Sequence, residues 1–207
     1  MKELLITQKK INWDECPILF KSKPNENWLD EWMPMNGTWY YEDGAIIGFM
    51  PENKGGIIFS KQCFDRDVIM KCKISAVLPA TRDVNAVIHG HWNNERNYIG
   101  DSYLCGLNGW WDDKAGIERI GHDSALIPLF KYKPGSEVEM IFGSIKGHTF
   151  MFIDDQLVIE WIDRNSPLTE GHVGFSAYCT KLRITEVEVR EAQYTPRNQR
   201  YVPEFEV

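Results

Sequence analysis

The sequence predicts an all-β fold, a sandwich of two antiparallel sheets, on three observations. About a dozen short runs rich in β-branched and aromatic residues follow one another at the regular spacing of a sandwich. Turn signals separate them: Asp43-Gly44, Gly55-Gly56, Lys146-Gly147 and Asp154-Asp155. No stretch carries the 3.6-residue apolar period of a long helix. A chain of 207 residues is long for an average domain but ordinary for one large sandwich, and it can bury a full core without disulfides or metals.

Taken in order, residues 1–35 read as an irregular segment packed on the sandwich, with Ile18-Leu19-Phe20 a short strand and at most one helical turn around Trp28 and Trp32. The sandwich domain is placed at 36–190. Thr38-Trp39-Tyr40-Tyr41 and Ala45-Ile46-Ile47-Gly48-Phe49 flank Asp43-Gly44 as a hairpin. Ile57 to Ser60 form the next run. In Val68 to Ser75, Met70, Cys72 and Ile74 alternate with Lys71 and Lys73, the pattern of a half-buried strand. Residues 137–142, 148–153 and 157–161 repeat the theme. Gly171 to Phe175 and Lys181 to Arg190 close the set, and the change of parity between Ile184 and Val187 predicts a bulge. The tail, 191–207, is Pro-broken and either packs along the surface, reaches a second subunit or is loose.

Composition narrows the function. There are 23 basic and 30 acidic residues, a net charge of -7, and the pI is about 5.3. No Lys/Arg cluster offsets this, which argues against nucleic acid or an anionic membrane as partner. No run approaches the roughly 18 apolar residues of a membrane span. The N-terminus lacks the apolar core and cleavage site of a signal peptide. The five cysteines are widely spaced with no C-x-x-C pair, so buried free thiols and a cytoplasmic location are expected.

At this point the chain resembles a known group. The runs NGTWYYEDGAIIG, GGIIFS, FIDDQLVIEWID, EGHVGFSAY and KLRITEVEV are similar to the concanavalin A-like (laminin G-like) jelly-roll proteins of bacterial carbohydrate metabolism, near the 3-keto-disaccharide hydrolase domains and YesU-type proteins. The resemblance covers roughly residues 36–190. Its motifs are structural: Trp39 to Gly44 matches the opening hairpin, and Asp154-Asp155 stands where the group typically has Asn-Gly. It implies a ligand groove on the concave face of one sheet and a small saccharide or glycoside as ligand.

The stretch Arg82 to His122 is where such a site is expected. Alternation from residue 84 puts Val84, Ala86, Ile88 and Trp92 on one face, and Asn85, Val87, His89 and His91 on the other. Polar groups on that second face need partners or a wet groove. Asp101, Tyr103 and His122 offer polar groups at strand ends. Glu118 and Arg119 sit inside an apolar frame, so one of them must face inward. Glu118 there is either a general base of tuned pKa or half of an ion pair. Trp110 and Trp111 adjoin in a loop, where one can fill core and the other can stack on a sugar ring. His89, His91 and Glu118 are therefore the catalytic candidates. Asn85, Asp101, Tyr103, Trp110, Trp111, Arg119 and His122 are the substrate-binding candidates. His89-x-His91 with Asp101, Glu118 or His122 also permits a divalent metal. His148 and His172 are read as surface residues. The last strand's Glu186-Val-Glu188 resembles a glycosidase carboxylate motif but reads as a solvated face.

Two functions follow. One is a hydrolase or lyase cleaving a small, 3-keto included, glycoside. The other is a non-catalytic sugar-binding protein or a partner subunit of a sugar-processing enzyme, with a homo-oligomer through the tail as a further candidate.

Overall fold

The computed structural model describes residues 2–110 and 113–197, with only the backbone described at 53 and 54. The chain begins with a hairpin, β1 (Glu3–Ile6) and β2 (Lys9–Asn12), then β3 (Ile18–Ser22) and β4 (Trp32–Pro34). β5 (Thr38–Glu42) turns into β6 (Ala45–Phe64), which is followed by β7 (Val68–Ala76) and β8 (Val84–Gly90). A short hairpin, β9 (Trp92–Asn93) and β10 (Tyr98–Ile99), precedes β11 (Tyr103–Gly109), β12 (Lys114–Arg119) and β13 (Ser124–Ile127). The rest is β14 (Val138–Ile145), β15 (His148–Ile153), β16 (Gln156–Ile162), β17 (Gly171–Glu191) and β18 (Thr195–Pro196).

Two long strands build the sandwich. The first half of β17 pairs with β8 and with the second half of β6, so the front sheet runs β13-β12-β11-β8-β17-β6-β4. The second half of β17 pairs with β7, with β3 and with the first half of β6, giving the back sheet β16-β15-β14-β7-β17, with β5 on β6. β17 crosses between sheets at Cys179, whose φ is +49°, where its register against β6 slips between Tyr178 and Thr180. Strands that change sheet need such a bulge to turn the corner. The sequence splits each of β6 and β17 into two runs. The backbone is continuous through both breaks, because a bulge interrupts alternation without ending the ladder. The predicted parity change near Ile184 is a register slip between Ile184 and Glu186.

The tight turns follow their residues. Asp43-Gly44, Lys146-Gly147 and Asp154-Asp155 all have positive φ at both central positions, the twist that matches a two-residue hairpin. Between the sheets lies one apolar core. Ile88, Tyr103, Cys105 and Ile117 meet Met70, Cys72, Phe142 and Met151 there, with Trp32 and Phe175 fully buried.

The N-terminal segment is more regular than its sequence suggests. β1 pairs with β2, and β2 with β18, in a small separate sheet. Leu4, Ile6, Ile11 and Trp13 pack there on Ile69, Ile141, Phe150 and Phe152, the outer side of the back sheet. The apolar alternation of this hairpin is only two residues deep per strand, too short to be read as a strand signal. Residues 191–197 return to this hairpin, so this part of the tail binds its own chain; the rest of the tail lies outside the described residues.

Candidate functional site

The site is built on the outer face of the front sheet. Registers align one row across it: Ser176 on β17, Asn85 on β8, Gly106 on β11, Gly116 on β12 and Leu126 on β13. Two residues along, a second row holds Gly174, Val87, Leu104, Glu118 and Ser124. Glycine at 106 and 116 makes a floor without side chains. A Cβ at Gly106 would stand 1.8 Å from Asn85 Oδ1, and one at Gly116 would stand 3.1 Å from the Trp110 ring. Asn85 and Trp110 thus lie over the two bare positions from opposite sides. The β9–β10 hairpin roofs the neighbouring apolar patch, where Trp92, Tyr98 and Ile99 pack on Phe59, Val87 and Leu104.

Between floor and hairpin is a pocket of about 210 Å³. A space of this size admits a small ring. Tyr98, Tyr178, Trp110, Leu104 and Ile120 supply its apolar and aromatic walls, and Arg82, Asp83, Asn85, Glu118, Ser176 and Cys179 its polar ones. Trp110 Nε1 donates to Glu118 Oε2 at 2.9 Å. Asn85 is 4% exposed, and its Oδ1 is buried without a hydrogen-bond partner. Burial pushes the Asp83 carboxyl up to about 6, against the pull of Arg82 and of a hydrogen bond with Asn85. The Tyr98 phenol is raised by burial first, then by Tyr178, Glu118 and Asp83.

Three of the residues singled out in the sequence, Asn85, Trp110 and Glu118, meet in this pocket. His89 does not. Its φ is +47°, which breaks the alternation of β8 and turns the ring inward. It is fully buried, its ring centroid lies 6.0 Å from that of Tyr103, and Nε2 lies 3.2 Å from the Arg66 carbonyl oxygen. Burial holds the imidazole below its ordinary pKa. The same break in parity carries Trp92 to the outer face, away from the core side expected for it. His91 is half-buried at the strand end, with Nε2 3.1 Å from the Glu170 carbonyl oxygen. His89 and His91 each reach a backbone carbonyl of a neighbouring loop and neither lines the pocket. Among the described residues no three His, Cys, Asp or Glu side chains converge as metal ligands.

Asp101, Tyr103, Arg119 and His122 form a different cluster, at the other end of β11 and β12. Arg119 holds Asp101 in a two-pronged bond of 2.8 and 2.7 Å and reaches Asp163 at 2.8 Å. Tyr103 Oη donates to the same Asp163 oxygen at 2.7 Å and accepts from the Leu168 backbone N–H. The bonds from Arg119 hold the Asp101 carboxyl below the usual carboxylate range. His122 is half-exposed, 3.6 Å from Asp101. The buried members of this network find partners within the chain, so it fastens the 163–168 loop to the sheet outside the pocket. Of the Glu118-Arg119 pair, Arg119 is the one that turns inward, and Glu118 pairs with Trp110 rather than with a cation. Trp111 lies outside the described residues. His148 is buried rather than on the surface, 3% exposed between Lys9 and Glu160. His172 stacks on Phe59 at 5.7 Å.

Asp83, Tyr98, Ser176 and Tyr178 were not legible as site residues. One signal existed: Gly174, Ser176 and Tyr178 alternate with Val173, Phe175 and Ala177, a polar face on an apolar strand. Asp83 stands just before β8 and Tyr98 in a two-residue strand, where no pattern has room to show.

No protein-family model matches the chain, and no curated protein matches its sequence. Solved structures match its fold. A protein of unknown function with a galectin-like fold from Bacillus subtilis has a TM-score of 0.68 at 14% identity, covering 89% of this chain and 98% of that one. The carbohydrate-binding module CBM66 from Bacillus subtilis gives 0.63 at 16% identity, covering 78% and 96%. A candidate glycosyl hydrolase from Parabacteroides distasonis ATCC 8503 gives 0.56 at 15% identity, covering 78% and 99%. The fold is the concanavalin A-like jelly roll.

Proposed function

We propose that the protein binds a small saccharide in the pocket between Asn85 and Trp110. One observation carries this reading: an indole laid over a glycine floor and fixed by Glu118, with Tyr98, Tyr178 and convergent polar groups around a space for one ring. The apolar C–H face of a pyranose suits such an aromatic surface, and its hydroxyls suit the polar rim. The carbohydrate-binding module among the structural neighbours supports the same reading.

Cleavage of the bound glycoside, by hydrolysis or elimination, is the second reading, and the pairing of Asp83 with Glu118 in one pocket favours it. A carboxyl held near pH 6 is suited to donate a proton to a departing oxygen, while a second carboxylate serves as base toward water or toward a proton beside a 3-keto group. His89 is too buried to share this work. A cytoplasmic location fits five cysteines that form no disulfide among the described residues.

The test is one NMR experiment on methyl glucoside, methyl rhamnoside, simple disaccharides and their 3-keto forms. Saturation transfer to one sugar ring, lost in Trp110→Ala, is the expected result for binding. Substrate loss over hours that stops in Glu118→Gln and Asp83→Asn is the result for cleavage. No transfer to any of these sugars overturns both readings.

A further inference from the structure

The pocket's polar groups are unequal in what they ask of a ligand. Asn85 Oδ1 is buried, without a partner, and held over Gly106, where a Cβ would collide with it at 1.8 Å. An orphaned buried acceptor costs stability until something donates to it. Its neighbour Asp83 is an acceptor when ionised, and its side chain is 14% exposed. Glu118 spends one oxygen on Trp110 and has another to offer. Set against these, among the described lining residues, is one cation, Arg82, whose Nε lies 3.7 Å from Asp83 and whose side chain is 42% exposed. The pocket therefore holds two carboxyl groups to one guanidinium, and its buried end is made of acceptors.

The walls point the same way. Tyr98, Tyr178 and Trp110 line the same pocket as Asp83 and Glu118. The negative faces of aromatic rings attract a cation, most of all in a desolvated site. An anionic sugar would meet two carboxylates there, in a chain whose net charge is -7.

We propose that the pocket selects an amino sugar, with its ammonium group donating to Asn85 Oδ1 and Asp83 while the ring lies toward Trp110. This rests on the saccharide reading above and names its ligand class. The strand geometry allows it. Asn85 and Glu118 are two strands and one row apart, roughly 10 Å across the sheet at about 4.8 Å per strand, which leaves room for a ring between them. Glu118 then faces the far side of the ring, where hydroxyls are the donors. Asp83 adds a pH signature. Burial and the nearby Asp113 raise its carboxyl, against Arg82 and Asn85, to about 6, so the ammonium loses its charged partner as the pH falls from 7 to 5.

Isothermal titration of the full chain at low salt separates the outcomes, with D-glucosamine, D-glucose, N-acetyl-D-glucosamine, D-glucuronate and 2-aminocyclohexanol as probes. At pH 7, glucosamine is expected to bind at least tenfold more tightly than glucose. Most of that advantage should vanish at pH 5, in 0.5 M salt, and in Asp83→Asn, a variant expected to fold at least as well as the parent. Asn85→Asp, which restores a charged acceptor at the same place, should retain the preference, and Asn85→Leu should lose it. Equal binding of glucose, equal binding of N-acetylglucosamine, or preference for glucuronate overturns the ammonium assignment and leaves the saccharide reading standing. Binding of 2-aminocyclohexanol with none of the four sugars keeps the ammonium subsite and overturns the saccharide reading. Silence from all five probes overturns both.

Discussion

The indole N–H of Trp110 donates to the Glu118 carboxylate across 2.9 Å, and this one bond ties a loop residue to a strand residue on opposite sides of Gly116. Trp110 has a φ of +53°, a conformation that a bulky side chain adopts only when its surroundings hold it there. The bond therefore sets the angle of the aromatic wall. Trp110→Ala should weaken saccharide binding about tenfold or more, roughly 1.4 kcal/mol. Glu118→Ala should lose a smaller part, because the ring stays but its angle is no longer fixed. Circular dichroism should show both variants folded, since neither side chain is in the sandwich core. Titration by tryptophan fluorescence or calorimetry gives the ranking, and equal affinity in Trp110→Ala would remove the wall from the site.

Gly106→Ala tests the floor. The new Cβ would overlap Asn85 Oδ1, and the Asn85 amide, 4% exposed, has little room to swing aside. Overpacking of this kind costs about 1–3 kcal/mol. The variant should melt a few degrees lower and bind ligand more weakly, because the strain falls on the Asn85 wall of the pocket. Gly121→Ala is the control: its site is open but its φ is +81°, so it should cost some stability and spare binding.

The Arg119 network predicts the opposite split. Arg119 and Asp163 are 7% and 3% exposed, and Tyr103 shares the same oxygen of Asp163. Removing one member of a buried ion pair strands the other, at about 3–5 kcal/mol. Asp163→Ala should therefore lower the melting temperature sharply and Tyr103→Phe by about a third as much. Asp101→Ala should matter least, because that carboxylate is 40% exposed and water screens the pair. Saccharide affinity, measured below the melting transition, should not change in any of the three.

How much of this was legible in the sequence depends on where alternation survives. Alternation in 68–75 reveals both the strand and its buried face, while 148–153, buried on both faces, and 181–190, broken by a bulge, reveal the strand alone. Asn85 and Glu118 were reachable by the same logic, as polar residues inside an apolar frame. His89 was not, because a single positive φ reverses the parity of everything after it, and the letters IHGHW carry no mark of it. The division of β6 and β17 between two sheets was hidden for the same reason: a bulge reads as a strand end. The binding partners of Arg119 come from residues 18 and 44 positions away in sequence, and the acidic pocket end from Asp83, a loop residue before a strand. Long-range pairing of that kind leaves no local pattern.

Asp83 makes stability depend on pH with an unusual sign. Its carboxyl sits at about 6 in the folded protein and at 3.8 when free, with burial as the cause. Between those values the folded chain keeps a proton that the unfolded chain has released. The unfolded state binds fewer protons, so stability falls as pH rises through this window and the loss is complete above about 6. The cost is about 2–3 kcal/mol. Asp83→Asn should therefore melt higher than the parent at pH 8 and the same at pH 3.5. A gain of the same size at both pH values would mean that the carboxyl is not perturbed as stated.

His148 works in the other direction and at a different place. Lys9 Nζ lies 2.9 Å from its Nδ1, and an ammonium can only donate, so Nδ1 accepts. The proton of the neutral ring is then on Nε2, which donates to Glu160 at 2.9 Å. Glu160 in turn accepts from the Thr7 backbone N–H, so the chain Lys9–His148–Glu160–Thr7 closes on both sides of the β1–β2 turn. A second proton on the imidazole would have to sit at Nδ1, facing Lys9. Burial first, and Lys9 second, lower the His148 pKa from 6.5, which the contact with Glu160 offsets only in part. Lys9 is also under the influence of Asp67 and Lys146. The unfolded chain therefore binds the extra proton first as pH drops below about 6.5, and stability declines from there toward the folded value. The loosened element should be the hairpin rather than the sandwich, because the titrating contact joins Thr7 and Lys9 to β15 and β16. Hydrogen exchange should show faster exchange at residues 3–12 at pH 5 than at pH 7.5, after correction for intrinsic rates, with 138–153 unchanged. His148→Gln keeps both a donor and an acceptor without the titration, and it should flatten the pH dependence of the hairpin. If the hairpin in this variant still loosens at pH 5, the acid sensitivity lies with some group other than His148.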